Sequence, residues 1–261
     1  MIGRAAVAFL VGLAVAAPAA PARAADDPVA RKILRDALDR NSAGFQSGQS
    51  TTVLKQTLQN GASKTWRTLA RVQRGADGRL RSRVTFLEPA DSVGVELLMV
   101  EEADGRTAQW LWLPKTKRLR RIGGGQKDQD FMGTDFSFGD LESKSLNAGE
   151  ARKLGDEAVA GVGCTKIEVR SSAPDEVYAL VIVWVEVAKG VPRKVEFRGK
   201  DGALVKTLTA GSVREVDGRW TLDRLRMQHH LRGSATTVET RDIDTKAVFA
   251  DAIFVPESLG R

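Results

Sequence analysis

The sequence predicts a mainly β protein in which one N-terminal helix precedes an antiparallel meander of short strands. Three observations carry this prediction. One segment near the start has apolar residues three and four positions apart, which is the period of a helix face. From about residue 50 onward, apolar and polar residues alternate, and turn dipeptides such as Asn60-Gly61 and Asp217-Gly218 separate the alternating stretches. No later segment repeats the helical period with comparable strength.

The composition excludes several classes of protein. Of the 261 residues, 42% are hydrophobic and 28% are charged, which excludes a disordered or collagen-like chain. A single cysteine excludes a disulfide scaffold, and two histidines leave little material for a structural zinc site. The net charge of +7 is mixed along the chain, so it is weak evidence for nucleic-acid binding. We therefore expect no metal, no cofactor and no nucleic-acid partner.

The first 24 residues have the pattern of a cleavable signal peptide. Arg4 gives a charged start, residues 5–17 form an unbroken apolar stretch, and Ala22-Arg23-Ala24 fits a cleavage box. The apolar stretch is shorter than the ~20 residues that a permanent membrane-spanning helix needs. We expect residues 1–24 to be removed on export to the periplasm, which leaves residues 25–261 as a single domain.

The N-terminal helix is predicted to start at Pro28, with Asp27 as its N-cap. Charged residues separate the members of its apolar face, so one side of the helix should pack against the sheet. The predicted apolar face consists of Val29, Ile33, Leu34, Ala37 and Leu38.

Thirteen alternating stretches follow, and turn residues separate most of them. Because most neighbours are joined by short turns, we expect antiparallel pairing between them. The predicted strands are Thr51–Gln59, Lys64–Arg74, Leu80–Leu87, Val93–Glu101, Arg106–Leu113, Lys117–Ile122, Ala151–Val159, Cys164–Ser171, Tyr178–Val187, Val191–Arg198, Leu204–Val216, Arg219–Arg232 and Thr236–Asp244.

Several predicted strands are apolar on both faces, although a sheet that is covered on one side should alternate. The predicted helix can cover only one face. Either the concave face closes on itself as a packed barrel core, or it forms a hydrophobic pocket for a ligand. The candidate lining residues of such a pocket are Trp66, Phe86, Leu97, Met99, Trp110, Trp112, Ile182, Trp184 and Phe197.

The segment 114–142 has the most distinctive composition in the chain, because large apolar residues occur in a loop rich in Gly, Asp and Ser. Each of these side chains gains roughly 1.5–3 kcal/mol from burial. We therefore expect them to act as a lid that fills the entrance of the pocket. The candidate lid residues are Phe131, Met132, Phe136 and Phe138.

Two aspartates of the lid segment, Asp135 and Asp140, are open to two interpretations. They could form a carboxylate pair for acid–base catalysis. The structural interpretation is favoured because no histidine or nucleophile lies nearby in sequence. In that case Asp140 caps a short helical turn, and Asp135 bonds loop amides or pairs with Arg120 or Arg121.

The strand before the lid is strongly basic, with Leu119 and Ile122 predicted to face inward. Its arginines, Arg118, Arg120 and Arg121, are either a solvated face or a contact for lipid headgroups or an acidic partner. Elsewhere, His229 and His230 are neighbours on a strand, so their side chains should face opposite sides and cannot share a metal ion.

Two parts of the chain resemble the outer-membrane lipoprotein-sorting family, the relatives of the LolA and LolB carriers. The more specific part is the run Met132-Gly133-Thr134-Asp135-Phe136-Ser137-Phe138-Gly139-Asp140-Leu141, preceded by Trp110-Leu111-Trp112-Leu113-Pro114 and the basic strand. The other part is Phe86-Leu87-Glu88-Pro89, followed by Gly94 and Leu97-Leu98. The resemblance covers most of residues 50–260, but this chain has no lipid-attachment cysteine after its apolar start.

The resemblance implies a half-open antiparallel β-barrel wrapped over the N-terminal helix and short lid helices, with a concave cavity for acyl chains. The implied function is that of a periplasmic carrier of lipids or lipoproteins. Such a carrier works without catalysis or a cofactor, and it exchanges cargo with an inner-membrane transporter or an outer-membrane acceptor. The alternative is a periplasmic lipid-sensing regulatory module that docks on a membrane signalling or transporter protein.

Overall fold

The computed structural model describes residues 26–41, 47–142, 149–171 and 177–261. Within these ranges there is one α-helix, α1 (Pro28–Asn41), and there are thirteen β-strands. The strands are β1 (Ser47–Thr57), β2 (Ser63–Arg74), β3 (Leu80–Glu88), β4 (Glu96–Glu101), β5 (Thr107–Leu113), β6 (Arg118–Ile122), β7 (Glu150–Val159), β8 (Val162–Arg170), β9 (Leu180–Glu186), β10 (Val191–Arg198), β11 (Leu204–Val216), β12 (Arg219–His229) and β13 (Ser234–Asp244). The predicted signal peptide, residues 1–24, and the side chain of Leu38 lie outside the described residues.

All thirteen strands belong to one open antiparallel sheet, so the predicted mainly β, half-open architecture is confirmed. Strands β1–β6 form a first meander and β7–β13 a second, and the two join where β1 pairs with β13. The edges of the described sheet are therefore β6 and β7. The chain between these two edges has to cross the sheet, and this crossing contains the predicted lid.

Helix α1 begins as predicted and is fastened to the edge strand β7. The Asp27 carboxylate accepts hydrogen bonds from the backbone N–H groups of Val29 (2.9 Å) and Ala30 (3.2 Å), which makes Asp27 the N-cap. The Asp27 N–H donates to the Ala151 carbonyl at 2.8 Å. In return, the Ala151 N–H donates to the Asp26 carboxylate at 2.8 Å.

The helix buries one face against the second meander. Ala30, Leu34 and Ala37 are buried in the core, and Ile33 packs against it. Val29, which the periodicity predicts on the apolar face, is 61% exposed because it lies at the margin of that face. None of the helices in the described ranges combines the length and apolar content required to cross a bilayer.

Two apolar clusters define the two faces of the sheet. The larger cluster lies on the concave face, where Leu34 of α1, Phe86 of β3 and Phe131 of the lid share one core. The smaller cluster lies on the convex face, where Phe254 and Leu259 pack on Leu98 of β4. We call residues 123–142 the lid and the C-terminal residues 249–261 the strap.

Candidate ligand site between the lid and the sheet

The lid is a hairpin framed by two short 3₁₀ helices, Gly124–Asp128 and Gly139–Leu141. A backbone hydrogen bond from the Phe131 N–H to the Phe136 carbonyl (2.7 Å) joins the two arms of the hairpin. At the lid tip, Met132 and Gly133 have positive φ angles of 53° and 78°. The Thr134 N–H donates to the Phe131 carbonyl at 3.0 Å, so Met132 and Gly133 are the central residues of a β-turn, and glycine adopts a positive φ without strain.

The lid inserts aromatic side chains into the concave face of the sheet. Phe131, Phe136 and Phe138 are all buried. The ring centroid of Phe131 lies 5.6 Å from that of Phe86 and 5.7 Å from that of Phe138, in the tilted and edge-on arrangements that aromatic pairs favour. Met132 packs partly buried against the same cluster. The structure thus places the four predicted lid side chains over the concave face, and their movement with a ligand stays a prediction.

The structure places five of the nine predicted lining residues on the concave face. These residues are Trp66, Phe86, Leu97, Met99 and Phe197. They come from both meanders, so the concave surface is continuous across the β1–β13 junction. Contact between these side chains and a ligand stays a prediction.

Trp110 and Trp112 lie on the convex face, so their predicted place in the lining was wrong. Leu97 pairs with Leu111, which puts Leu111 on the concave face and its tryptophan neighbours on the opposite one. There the tryptophans pack against the strap around Leu98. Strands β4 and β5 are apolar on both faces because the strap covers their convex side, and this pattern therefore does not require an empty pocket.

Ile182 and Trp184 also face away from the core, and their predicted place in the lining was wrong for the same reason. Val183 belongs to the concave cluster, so its neighbours in β9 alternate to the other face. Trp184 is nevertheless only 2% exposed. The ammonium groups of Lys166 and Lys194 lie over its ring, 4.8 and 4.4 Å from the ring centroid. Neighbouring lysines thus cover the outer face of β9.

Asp135 fastens the lid tip to strand β13. It is fully buried, and its carboxylate accepts hydrogen bonds from the hydroxyls of Ser234 and of Thr236, the latter at 2.6 Å. Its backbone N–H donates to the Thr236 hydroxyl at 2.9 Å. Both expected alternatives, bonds to loop amides and pairing with Arg120 or Arg121, were wrong, because Asp135 is buried against β13 and both arginines are exposed on the edge strand β6. Neutral hydroxyls hold this carboxylate instead of a cation.

Asp140 fastens the base of the lid through a buried ion pair. Its carboxylate accepts hydrogen bonds from the Lys206 ammonium (2.6 Å), the Tyr178 hydroxyl (2.9 Å) and the Ser137 N–H (2.7 Å). The Lys206 and Asp140 side chains are 5% and 1% exposed. Burial and the adjacent carboxylate raise the pKa of Tyr178, so its hydroxyl stays a donor. Asp140 lies inside the helix Gly139–Leu141, so its predicted role as the cap was wrong.

A third fastening connects the lid to the first meander. Gln109 of β5 is fully buried and donates from its side-chain amide to the Phe138 carbonyl and to the Glu142 carboxylate, both at 2.9 Å. Glu142 also pairs with Lys127 at the start of the lid, at 2.9 Å. The lid is therefore held by side chains from both meanders.

A polar cleft of about 590 Å³ opens beside the lid tip. The lid contributes Asp130 to it, and the β12–β13 turn contributes Arg232, whose guanidinium donates to the Asp130 carboxylate at 2.7 Å. Sequence reasoning missed this cleft because its residues come from turns that lie far apart in the chain. The lining residues are Gln56, Leu58, Gln59, Asn60, Asp130, Gly133, Arg232 and Ser234.

The basic strand β6 does not present its arginines on one surface. Arg118 and Arg120 point to the concave side and Arg121 to the convex side, and all three are exposed. Ile122 is buried in the core, as expected, whereas Leu119 is 42% exposed. Leu119 and Ile122 are three positions apart, so in a strand they face opposite sides, and the inward placement of Leu119 was wrong.

The two histidines face opposite sides, as the strand geometry predicts. His229 is buried and is the cross-strand partner of Ser234, whereas His230 is exposed. The Nδ1 atom of His229 has no hydrogen-bond partner among the described residues. Burial lowers the pKa of His229, and the nearby cations Arg232 and Lys206 lower it further.

Comparison with known proteins supports the fold and the resemblance. A family model with the description "-like: Uncharacterized protein" matches residues 78–261. The chain belongs to this family. No curated protein matches it.

Solved structures resemble this family member over most of its length. An outer membrane lipoprotein-sorting protein domain from Vibrio parahaemolyticus is 27% identical, with a TM-score of 0.79 over 89% of this chain and 99% of that one. A DUF1329 family protein from Desulfovibrio piger is 22% identical, with a TM-score of 0.81 over 90% of this chain and 100% of that one. A LolA superfamily protein from Nitrosomonas europaea is 21% identical, with a TM-score of 0.68 over 87% and 97%. The resemblance to the lipoprotein-sorting family is confirmed.

Proposed function

We propose that the protein is a periplasmic carrier that binds the acyl chains of lipids or lipoproteins on the concave face of its sheet. Residues 1–24 direct its export. When cargo enters, the lid tip leaves the concave face and the acyl chain replaces the lid phenylalanines there. The protein acts by burial, without catalysis or a cofactor. The name of the Vibrio parahaemolyticus domain, which is 27% identical, supports a role in lipoprotein sorting.

The observation that carries this proposal is the way in which the lid tip covers apolar surface. Its phenylalanines fill the concave face, yet the tip is fastened to β13 through the side chain and N–H of Asp135. A buried carboxylate held by neutral hydroxyls regains its hydration when it leaves. Detachment of the tip is therefore less costly than removal of a strand from the sheet.

The energies of the two occupants of the concave face are comparable. A sixteen-carbon acyl chain gains on the order of 10 kcal/mol from burial, at ~0.8 kcal/mol for each CH₂ group. The three phenylalanines lose roughly 1.5–3 kcal/mol each when they become exposed. Because the exchange is nearly balanced, cargo can open the lid. A membrane transporter or an acceptor protein that stabilises one lid position can then load or unload the carrier.

Truncation of a lid phenylalanine tests this function directly. We expect Phe136→Ala to capture a fluorescent hexadecanoyl probe more tightly than the unmodified protein, because space opens on the concave face. The matched control is Phe254→Ala, which removes another buried ring, in this case from the convex cluster. Both variants should lose about 3–5 kcal/mol of unfolding free energy.

Only Phe136→Ala should change capture of the probe, as measured by fluorescence titration. Native mass spectrometry of the protein purified from its own cell envelope should in addition detect a bound acylated species. Failure of both the unmodified protein and Phe136→Ala to bind the probe would contradict the carrier function.

A further inference from the structure

The polar cleft beside the lid tip is lined by side chains that can donate hydrogen bonds to an anion. Gln56, Gln59 and Asn60 bring side-chain amides to it, and Arg232 brings a guanidinium group. Ser234 lines the same cleft and also holds Asp135, so the cleft adjoins the fastening of the lid tip. A ligand group in the cleft therefore lies next to the bonds that hold the lid tip on the concave face.

The charge of the cleft depends on the position of the lid. Asp130 belongs to the hairpin arm of the lid, where it pairs with Ser137 in an isolated bridge, whereas Arg232 belongs to the sheet. With the lid closed, the carboxylate neutralises the guanidinium. When the tip departs it takes Asp130 with it, and Arg232 remains beside the amides. The closed cleft is thus neutral, and the open cleft is positive.

We propose that the open cleft binds the phosphate group of a phospholipid headgroup, which replaces Asp130 on Arg232. This inference rests on the proposed function, because it supplies the headgroup site for the acyl chains bound on the concave face. A guanidinium matches phosphate oxygens with two parallel hydrogen bonds. An anion that binds only the open cleft stabilises the open lid by its own binding free energy. Binding of the headgroup and opening of the lid are therefore thermodynamically coupled.

The strength of the ion pair fits this exchange. The Arg232 and Asp130 side chains are 47% and 34% exposed, and exposed pairs contribute little to stability. The pair at the lid base, Lys206–Asp140, is almost completely buried, and its separation would leave a buried charge without a partner. A phosphate can therefore compete for Arg232 at a lower cost than separation of the pair at the lid base.

Two variants that remove the same ion pair distinguish a headgroup site from a simple latch. With dioctanoyl phosphatidylglycerol as the probe, Arg232→Gln should bind roughly tenfold more weakly, because a charge-assisted hydrogen bond is lost. Asp130→Asn should bind the same lipid severalfold more tightly, because the competing carboxylate is gone. If the pair between Arg232 and Asp130 only holds the lid closed and binds no headgroup, the two substitutions should change the lipid affinity in the same direction.

The controls separate charge, acyl chain and phosphate. Dioctanoylglycerol has the same chains without phosphate, and Arg232→Gln should not weaken its binding. Arg224→Gln removes another exposed arginine, which pairs with Glu239, and it should leave the binding of both lipids unchanged. Inorganic phosphate should weaken phosphatidylglycerol binding only at a large excess, because it has no chains to bury.

The outcomes that overturn this inference differ from those that overturn the carrier function. Equal affinity for the two lipids, with Arg232→Gln and Asp130→Asn shifting both in the same direction, would overturn the headgroup site and leave the carrier function standing. Inorganic phosphate that binds Arg232 as tightly as the lipid does would overturn the assignment to a headgroup. Failure to bind either lipid would overturn the carrier function. Both variant positions are partly exposed, so unchanged unfolding midpoints would show that the fold is intact.

Discussion

The two faces of the first meander are covered by segments that are fastened in different ways. On the convex face, the strap rests on an ion pair between Arg83 of β3 and Glu96 of β4, whose side chains are 8% and 10% exposed. The strap adds a hydrogen bond from the Gly260 N–H to the Glu96 carboxylate at 2.8 Å. It also accepts one from Arg83 at the Ser258 carbonyl, at 3.3 Å. The strap thus makes hydrogen bonds to both members of this buried ion pair.

On the concave face, the lid has a buried ion pair at its base, whereas no buried cation holds its tip among the described residues. The tip depends on two hydroxyls that hold Asp135 and on the exposed pair between Asp130 and Arg232. Removal of the strap would uncover an ion pair, whereas removal of the lid tip frees a carboxylate that water can solvate. We therefore expect the strap to stay in place and the lid tip to detach reversibly.

Glycine contributes to both covers through close approach or turn geometry. Gly260 of the strap has a φ of +78°, and a Cβ atom there would lie 2.3 Å from Cε2 of Trp112. At position 260, any residue other than glycine would therefore clash with the ring of Trp112. At the lid tip, a Cβ on Gly133 would meet nothing within 4 Å, so this glycine serves only the turn. The strap fits its surface tightly at Gly260, whereas the lid tip faces open space at Gly133.

The largest effect is expected from breaking the ion pair beneath the strap. Glu96→Ala leaves Arg83 buried without its carboxylate, so it should lower the unfolding free energy by about 3–5 kcal/mol in urea titrations. The control Glu239→Ala removes a more exposed carboxylate that pairs with Arg224 and Arg241, and it should leave the unfolding free energy almost unchanged. Equal losses for the two variants would show that the strap does not depend on this pair.

A smaller effect is expected from loosening the lid tip. Thr236→Val removes one of the two hydroxyls that hold Asp135, which should lower the unfolding free energy by about 1–3 kcal/mol. It should also speed the capture of the hexadecanoyl probe in stopped-flow measurements, because the tip opens more often. Thr221→Val, at a buried threonine of β12, is the control and should not change the capture rate. A slower capture by Thr236→Val would contradict a reversible tip.

The local elements could be predicted from the sequence because their signals are local. The bounds Val191–Arg198 and Leu204–Val216 are the same in the prediction and in the structure. The alternation of apolar and polar residues predicts such a strand, and Asp201-Gly202 predicts the turn between these two strands. The N-cap Asp27 is likewise specified by its own neighbours in the chain.

The segment that covers each face of the sheet could not be predicted, because each cover is held by residues that lie far away in the sequence. Strand β5 has Trp110 and Leu111 on opposite faces, and the local pattern does not distinguish the face under the lid from the face under the strap. The partner of Asp135 is Thr236, which lies 101 residues away across the β1–β13 junction. The first and the last strand pair without a turn that connects them, so the sequence has no local signal for this pairing. Sequence reasoning could therefore identify Asp135 but not its partner.

The smallest expected effect is that of acid on His229, which lies beside the lid tip. Burial lowers the pKa of His229 from its ordinary value, and Arg232 and Lys206 lower it further, while Asp135 and Asp130 oppose them. The unfolded chain therefore takes up a proton at a higher pH than the folded protein does. The stability contributed by neutral His229 is complete above the unfolded pKa of about 6.5, and it falls as the pH drops towards the folded pKa.

The change His229→Gln tests whether this group weakens the lid tip in acid. Between about pH 7 and pH 5, the loss of unfolding free energy should be smaller in this variant than in the unmodified protein. Because His229 is the cross-strand partner of Ser234, which holds the lid tip, acid should also speed the capture of the hexadecanoyl probe, and His229→Gln should remove that acceleration. The control His230→Gln changes an exposed ring that bonds to Thr207, so it should keep both pH dependences. If His229→Gln and His230→Gln have the same pH dependence, the acid sensitivity lies elsewhere than at the lid tip.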